Sequence, residues 1–225
     1  MSRLVHQRIS TSFIFLLFLI LGIIFILISI DLIGLAFRKL GFPPQYSVLL
    51  LFFSLTGSYV NIPVKEITSR EPVMSGRIID FYWFRYVIPP LEVERRTMIA
   101  VNLGGGVIPV LVSGFLITMV NPVEVLIGVF VMTVLIHMIA RPVKGLGIAV
   151  PALIPPVAAA GLALWISPQN APMIAYISGT LGSLIGADLL NLKKIPDLGA
   201  QVASIGGAGT FDGIFLTGII SVLLA

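Results

Sequence analysis

Residues 13–30 read FIFLLFLILGIIFILISI, eighteen positions without a charge. At about 1.5 Å per residue such a helix is ~27 Å long, close to the ~30 Å hydrocarbon core of a bilayer. The rest of the chain repeats the theme. Of its 225 residues 57% are hydrophobic and 11% charged, and mean hydropathy is +1.08. Runs near 13–35, 46–62, 98–120, 123–140, 147–166, 171–190 and 205–224 read as membrane spans. The expected fold is all-α: a polytopic membrane helix bundle of about seven transmembrane helices, with residues 1–225 as a single transmembrane domain. The first run is too long for the core of a cleaved signal peptide, and no small-x-small site follows it.

The basic residues orient the bundle. With seven spans, the N-terminus and the 2–3, 4–5 and 6–7 loops share a side, and 12 of the 14 Lys and Arg fall there. The other side holds only Arg38 and Lys39. The positive-inside rule then predicts a cytoplasmic N-terminus and an external C-terminus in a multi-pass protein of the cell membrane. The net charge of +4 is thus a matter of sidedness, and no nucleic-acid partner is expected. The chain has no cysteine, which excludes disulfides, thiolate metal sites and cysteine nucleophiles.

One sizeable loop, residues 63–97, is cytoplasmic in this arrangement. Its charges nearly balance, with six basic and five acidic residues. Residues 78–87 are aromatic and β-prone. A turn at Met74-Ser75-Gly76 predicts a β-hairpin at the membrane surface. That segment reads either as an interfacial aromatic belt or as a sheet edge that pairs with an extended peptide.

Glycine clusters open two spans, at Leu103-Gly104-Gly105-Gly106 and at Ile205-Gly206-Gly207-Ala208-Gly209. The stretches 101–114 and 203–216 align loosely. They read as a parallel internal repeat or as two small-residue packing faces. Pro151, Pro155 and Pro156 interrupt the fifth span.

Few ionisable residues fall inside spans, and there each one is a site hypothesis. Asp31 sits near the external end of the first span, close to Arg38 and Lys39, and reads as an interfacial acid. Glu124 follows Asn121-Pro122, a helix N-terminus signature. His137 is a lone histidine near the end of the fourth span, a packing residue or an auxiliary to the site. No HExxH, acidic metal cluster or P-loop lysine appears, so neither metal nor cofactor is expected. Ser113-Gly114 and Ser178-Gly179 lack the preceding glycine of a serine nucleophile motif.

Two aspartates remain. Asp188 ends the sixth span in Gly186-Ala187-Asp188, and Asp212 opens the seventh in Gly209-Thr210-Phe211-Asp212-Gly213. The loop between those spans is short, so the helices are expected as antiparallel neighbours. Asp188 reads equally as an interfacial acid paired with Lys193 or Lys194, and Asp212 as a helix cap behind Thr210. As a pair they read differently. Two carboxylates close together in low dielectric share one proton. The ionised one can activate water while the protonated one polarises a scissile carbonyl.

These residues resemble the GxGD intramembrane aspartyl proteases, the presenilin and signal peptide peptidase group. The resemblance covers residues 147–224. It implies catalytic roles for Asp188 and Asp212, with Pro151-Ala152-Leu153 as the Pro-Ala-Leu motif that shapes the active site. Here that tripeptide precedes the aspartates instead of following them. Thr210-Phe211 also intervenes between the glycines and Asp212. The whole chain further resembles an uncharacterised family of archaeal and bacterial membrane proteins. Gly-Thr-Phe-Asp-Gly-Ile-Phe-Leu-Thr-Gly, at 209–218, carries that likeness, which implies a prokaryotic membrane and no activity.

The expected function is hydrolysis of a peptide bond in or beside the bilayer. Pro151, Ala152, Leu153, Gly186, Gly209 and Gly213 would line the substrate path, with His137 and Thr210 as auxiliaries. The partners are the lipid bilayer and a transmembrane peptide substrate, with oligomeric state open. The rival reading is a proton- or ion-coupled transporter using the same acids. A third is a membrane scaffold without chemistry.

Overall fold

The computed structural model describes residues 11–74, 77–81, 84–88, 91–144, 147–194, 202–207 and 213–225. The described chain is mostly helical and contains seven α-helices. They are α1 (Thr11–Lys39), α2 (Pro44–Gly57), α3 (Ile108–Ile117), α4 (Pro122–Ile139), α5 (Ile154–Ile166), α6 (Ala171–Ser183) and α7 (Gly213–Leu224). Three helical segments are long and apolar enough to cross a membrane: Phe18–Lys39, Pro122–Ile139 and Pro168–Lys194. The last is continuous through α6, a π-helical turn at Leu184–Asp188 and a 3₁₀ turn at Leu189–Lys194.

The all-α expectation needs correction, because seven strands accompany the helices. They are β1 (Asn61–Met74), β2 (Arg77–Phe81), β3 (Phe84–Ile88), β4 (Leu91–Asn102), β5 (Arg141–Val143), β6 (Gly147–Ala149) and β7 (Val202–Ile205). Three of them take residues from the expected starts of spans. Met98 to Asn102 extend β4, Gly147 to Ala149 form β6, and Ile205 ends β7. Short apolar runs rich in Ile and Val suit a paired strand as well as a helix.

β1 and β4 pair antiparallel from Asn61 opposite Asn102 to Met74 opposite Leu91. β7 joins the far side of β4 in parallel, from Met98 opposite Val202 to Val101 opposite Ile205. The order is β1-β4-β7. Beyond the first pair, β2 and β3 form their own antiparallel pair with Phe81 opposite Phe84. Ser75 and Gly76 of the expected Met74-Ser75-Gly76 turn lie outside the described residues. Of the β-prone run, residues 78–81 pair with 84–87, so each strand satisfies the other's backbone.

The helices gather around α6, which packs against α3, α4, α5 and α7. Small residues let them approach closely. A Cβ on Gly128 would lie 3.1 Å from the Ser178 side chain, one on Gly182 would lie 2.5 Å from Met132, and one on Gly186 would lie 2.6 Å from the Thr133 carbonyl. Those contacts run the length of α4 and hold it along α6. Polar glue is sparse: Ser113 and Thr180 share a hydroxyl hydrogen bond at 2.9 Å, and Thr180 also donates to the Tyr176 carbonyl.

α1 joins this bundle by one end only. Ile33, Ala36, Phe37 and Leu40 enter the core, while Phe18, Phe25 and Leu27 stay exposed. A helix apolar on every side suits a lipid environment. Lys39 Nζ donates to the Val222 and Leu223 carbonyls at 3.3 Å, so the last turns of α1 and α7 lie together. A cation there offsets the negative end of the α7 dipole.

Candidate functional site at the glycine junction

β4 and β7 run side by side, and a glycine-rich turn follows each. After β4 come Leu103-Gly104-Gly105-Gly106, wound as a π-helical turn (Leu103–Val107) that leads into α3. After β7 come Gly206 and Gly207, with φ of 86° and 91°. Positive φ suits glycine because it has no Cβ to clash. The two junctions touch backbone to backbone: a Cβ on Gly206 would lie 2.6 Å from both N and Cα of Gly106. The segments aligned by sequence thus meet in space, although the strand register is two residues off that alignment.

Asp188 closes this junction. It ends the π-helical turn after α6 and is half-buried. Its Oδ2 accepts the Gly206 backbone N–H at 2.8 Å. The carboxylate therefore sits directly beyond the end of β7.

The π turn leaves carbonyls without the usual helical partners. Asn191, buried in the following turn, supplies them. Its Nδ2 donates to the Ala187 carbonyl at 2.9 Å and to the Gly186 carbonyl at 3.2 Å. His137 reaches the same point from α4, with Nδ1 3.2 Å from the Gly186 carbonyl. Lys194 Nζ donates to Asn191 Oδ1 at 2.9 Å.

A second polar cluster sits at the other glycine turn. Asn102 is 1% exposed. Its Nδ2 donates to the Ser58 carbonyl at 2.7 Å and to Asn61 Oδ1 at 3.0 Å. Its Oδ1 accepts the Gly105 N–H at 2.8 Å, capping the turn. Asn61 Oδ1 also accepts from Ser204 Oγ at 2.6 Å. One buried amide thus ties α2, β1 and the glycine turn together, and Asn61 extends the tie to β7. Asn102→Ala should cost about 2–4 kcal/mol, the loss of a cap plus buried groups left unpaired. Thermal unfolding in detergent reads this, and an unchanged Tm would contradict it.

The residues singled out by sequence distribute unevenly. Asp188, Gly186 and His137 come together. Gly186 is buried with its open side filled by α4, so it serves helix packing there. Pro151, Ala152 and Leu153 are exposed just before α5 and follow β6, which packs against the π turn that ends in Asp188. Gly213 is exposed at the start of α7, with open space around it. Gly209, Thr210 and Asp212 lie outside the described residues. Among the described residues no cluster of three His, Cys, Asp or Glu could hold a metal.

Sequence reasoning missed Asn102 and Asn191. Asn102 before a glycine run carries a cap signal, hidden because the span was read from 98 onward. Asn191 falls just past the sixth expected span, in the loop, where nothing in the sequence marks it.

Beside the junction lies an open apolar groove of about 440 Å³ between α2 and α3. Leu50, Phe53, Val60, Leu103, Ile108 and Leu111 line it.

Fold and site together describe an apolar, mostly helical protein with helices able to cross a membrane and a half-buried acid at a glycine junction. The chain belongs to a family described as "Protein of unknown function (DUF1614)", whose model matches residues 55–224. No curated protein and no solved structure matches it.

Proposed function

We propose that this chain is an intramembrane hydrolase of the aspartyl type, with Asp188 and Asp212 as its acid–base pair. The observation that carries the reading is the Asp188 carboxylate held by Gly206 N–H at the end of β7. Among the described residues β7 pairs with β4 alone, so it is a sheet edge. An edge strand offers a row of backbone donors and acceptors to an extended peptide. A substrate paired there runs its backbone toward Asp188. The apolar groove between α2 and α3 gives a transmembrane peptide an approach from the bilayer.

The chemistry is general acid–base hydrolysis. The ionised aspartate takes a proton from water, and the water oxygen attacks the carbonyl carbon. The protonated aspartate hydrogen-bonds the carbonyl oxygen as it gains charge. The C–N bond then breaks and the amine leaves with a proton from the dyad. In this reading seven helices cross the cell membrane, the N-terminus is cytoplasmic, and both acids lie toward the cytoplasmic side.

A cation-coupled transporter fits less well. Its site would use the carbonyls freed by the π turn. Those of Gly186 and Ala187 are already engaged by Asn191 and His137.

The test uses the cysteine-free chain. Asp188→Cys and Asp212→Cys together should crosslink in membranes, since a disulfide needs Cα atoms roughly 4.4–6.8 Å apart. The wild-type chain, reconstituted with a transmembrane peptide, should release a soluble fragment. Failure to crosslink with both cysteines labelled would remove the dyad. Crosslinking without cleavage across a peptide panel would remove the hydrolase.

A further inference from the structure

We infer that the end of the bundle formed by α4 and the Lys194 end of the α6 segment is a binding site for an anionic phospholipid. The two helices concerned are both long and apolar enough to cross a membrane. They pack along their length, and the contact of Gly186 with Thr133 and His137 brings their last turns to the same end. Each then delivers cations at once. Arg141 follows α4 by two residues and Lys144 stands in the turn after β5. Lys193 and Lys194 end the other segment. All four are exposed.

The cations are held in place by ordered structure. Ile148 of β6 packs into the cluster of Met132, Ile136 and Ala187, which fixes the β5–β6 pair that carries Arg141 and Lys144. Lys194 is anchored on the buried amide of Asn191. Among the described residues, Arg141, Lys144 and Lys193 have no ion-pair partner. Asp188 accepts the Gly206 N–H, and Glu66, in the sheet that β7 joins, pairs with Arg96 at 3.8 Å. Glu124 stands at the opposite end of α4, ~25 Å away at 1.5 Å per residue.

Apolar surface adjoins the cations. Val134 and Met138 on α4, with Leu189 and Leu190 beside Lys193, are exposed large side chains. Cationic heads over an outward apolar face match a lipid, whose charged phosphate and acyl chains meet at that depth. The far end of the bundle contrasts with this. Of its Arg38 and Lys39, the lysine is engaged by the α7 carbonyls.

Native mass spectrometry of the full chain, in detergent with equal phosphatidylglycerol and phosphatidylcholine, tests the site. The wild type should retain phosphatidylglycerol preferentially. Arg141→Gln with Lys144→Gln, and Lys193→Gln with Lys194→Gln, should each reduce that preference by about fivefold per charge removed. Lys193→Arg with Lys194→Arg should keep it, as should Lys65→Gln, which removes a cation from β1. Equal preference in the wild type and both glutamine pairs would overturn the site. So would an equal loss in Lys65→Gln, which would mean unspecific attraction. Displacement of the lipid by an equal concentration of inorganic phosphate would overturn a lipid as occupant.

Discussion

Gly104→Ala is expected to lower Tm by about 10 °C and to reduce the yield of folded protein, at a cost of about 4 kcal/mol. Gly104 lies in the turn after β4, pressed against the last turn of α2. A Cβ there would run into the Ser54 carbonyl and the Ser58 N–H, and would lie 2.9 Å from the Gly57 carbonyl carbon. These are backbone atoms, so no rotamer change relieves the clash. α2 must move away, and the Ser58 carbonyl then leaves Asn102 Nδ2. Overpacking typically costs about 1–3 kcal/mol, and contact with rigid backbone puts this case above that range. Gly114, ten residues on in α3, is the control, because a Cβ there meets nothing within 4 Å. Gly114→Ala should leave Tm unchanged or raise it, since alanine favours a helix interior by about 1 kcal/mol. Equal Tm values for the two variants would show that the glycine contact is not structural.

That contrast marks the limit of reading glycines from sequence. Gly104 and Gly114 both sit in an apolar run, and composition does not separate them. What separates them is the approach of α2, which begins some sixty positions earlier. The same holds for the parallel pairing of β4 with β7, whose partners lie about a hundred residues apart. Local pattern served better where a local cause acts. Asn121-Pro122 was read as a helix start, α4 begins at Pro122, and Asn121 Oδ1 accepts the Val123 N–H at 3.0 Å. The seven apolar runs correspond in number to the seven helices, because burial in lipid or core demands apolar length either way. Strands hid inside three of those runs, since Ile99 and Val101 serve a sheet as readily as a span. At the site, Asp188 was legible as an acid isolated among apolar residues. Asn102 and Asn191 were not: the cap signal of Asn102 falls inside an expected span, and Asn191 binds the Gly186 and Ala187 carbonyls of a π-helical turn that only the folded backbone reveals.

Asp188→Asn should lower cleavage of a transmembrane peptide by about 10⁴-fold or more while Tm stays within a degree or two of wild type. Asparagine keeps the size of aspartate, and its Oδ1 can still accept the Gly206 N–H that Asp188 Oδ2 accepts now. It cannot take a proton from water or pass one on. Asp188→Ala removes the acceptor as well. It should be equally inactive and also less stable by about 1–3 kcal/mol, because a buried N–H at a positive-φ glycine loses its partner. The two variants divide the roles of one carboxylate. An anchoring residue alone would leave Asp188→Asn active and Asp188→Ala merely less stable. A catalytic residue makes Asp188→Asn inactive at full stability, and Asp212→Asn should match it, since either acid without the other cannot both activate water and polarise the carbonyl. Cleavage retained by Asp188→Asn would reduce this acid to the clasp between the π turn and β7, and the search for chemistry would move away from the glycine junction.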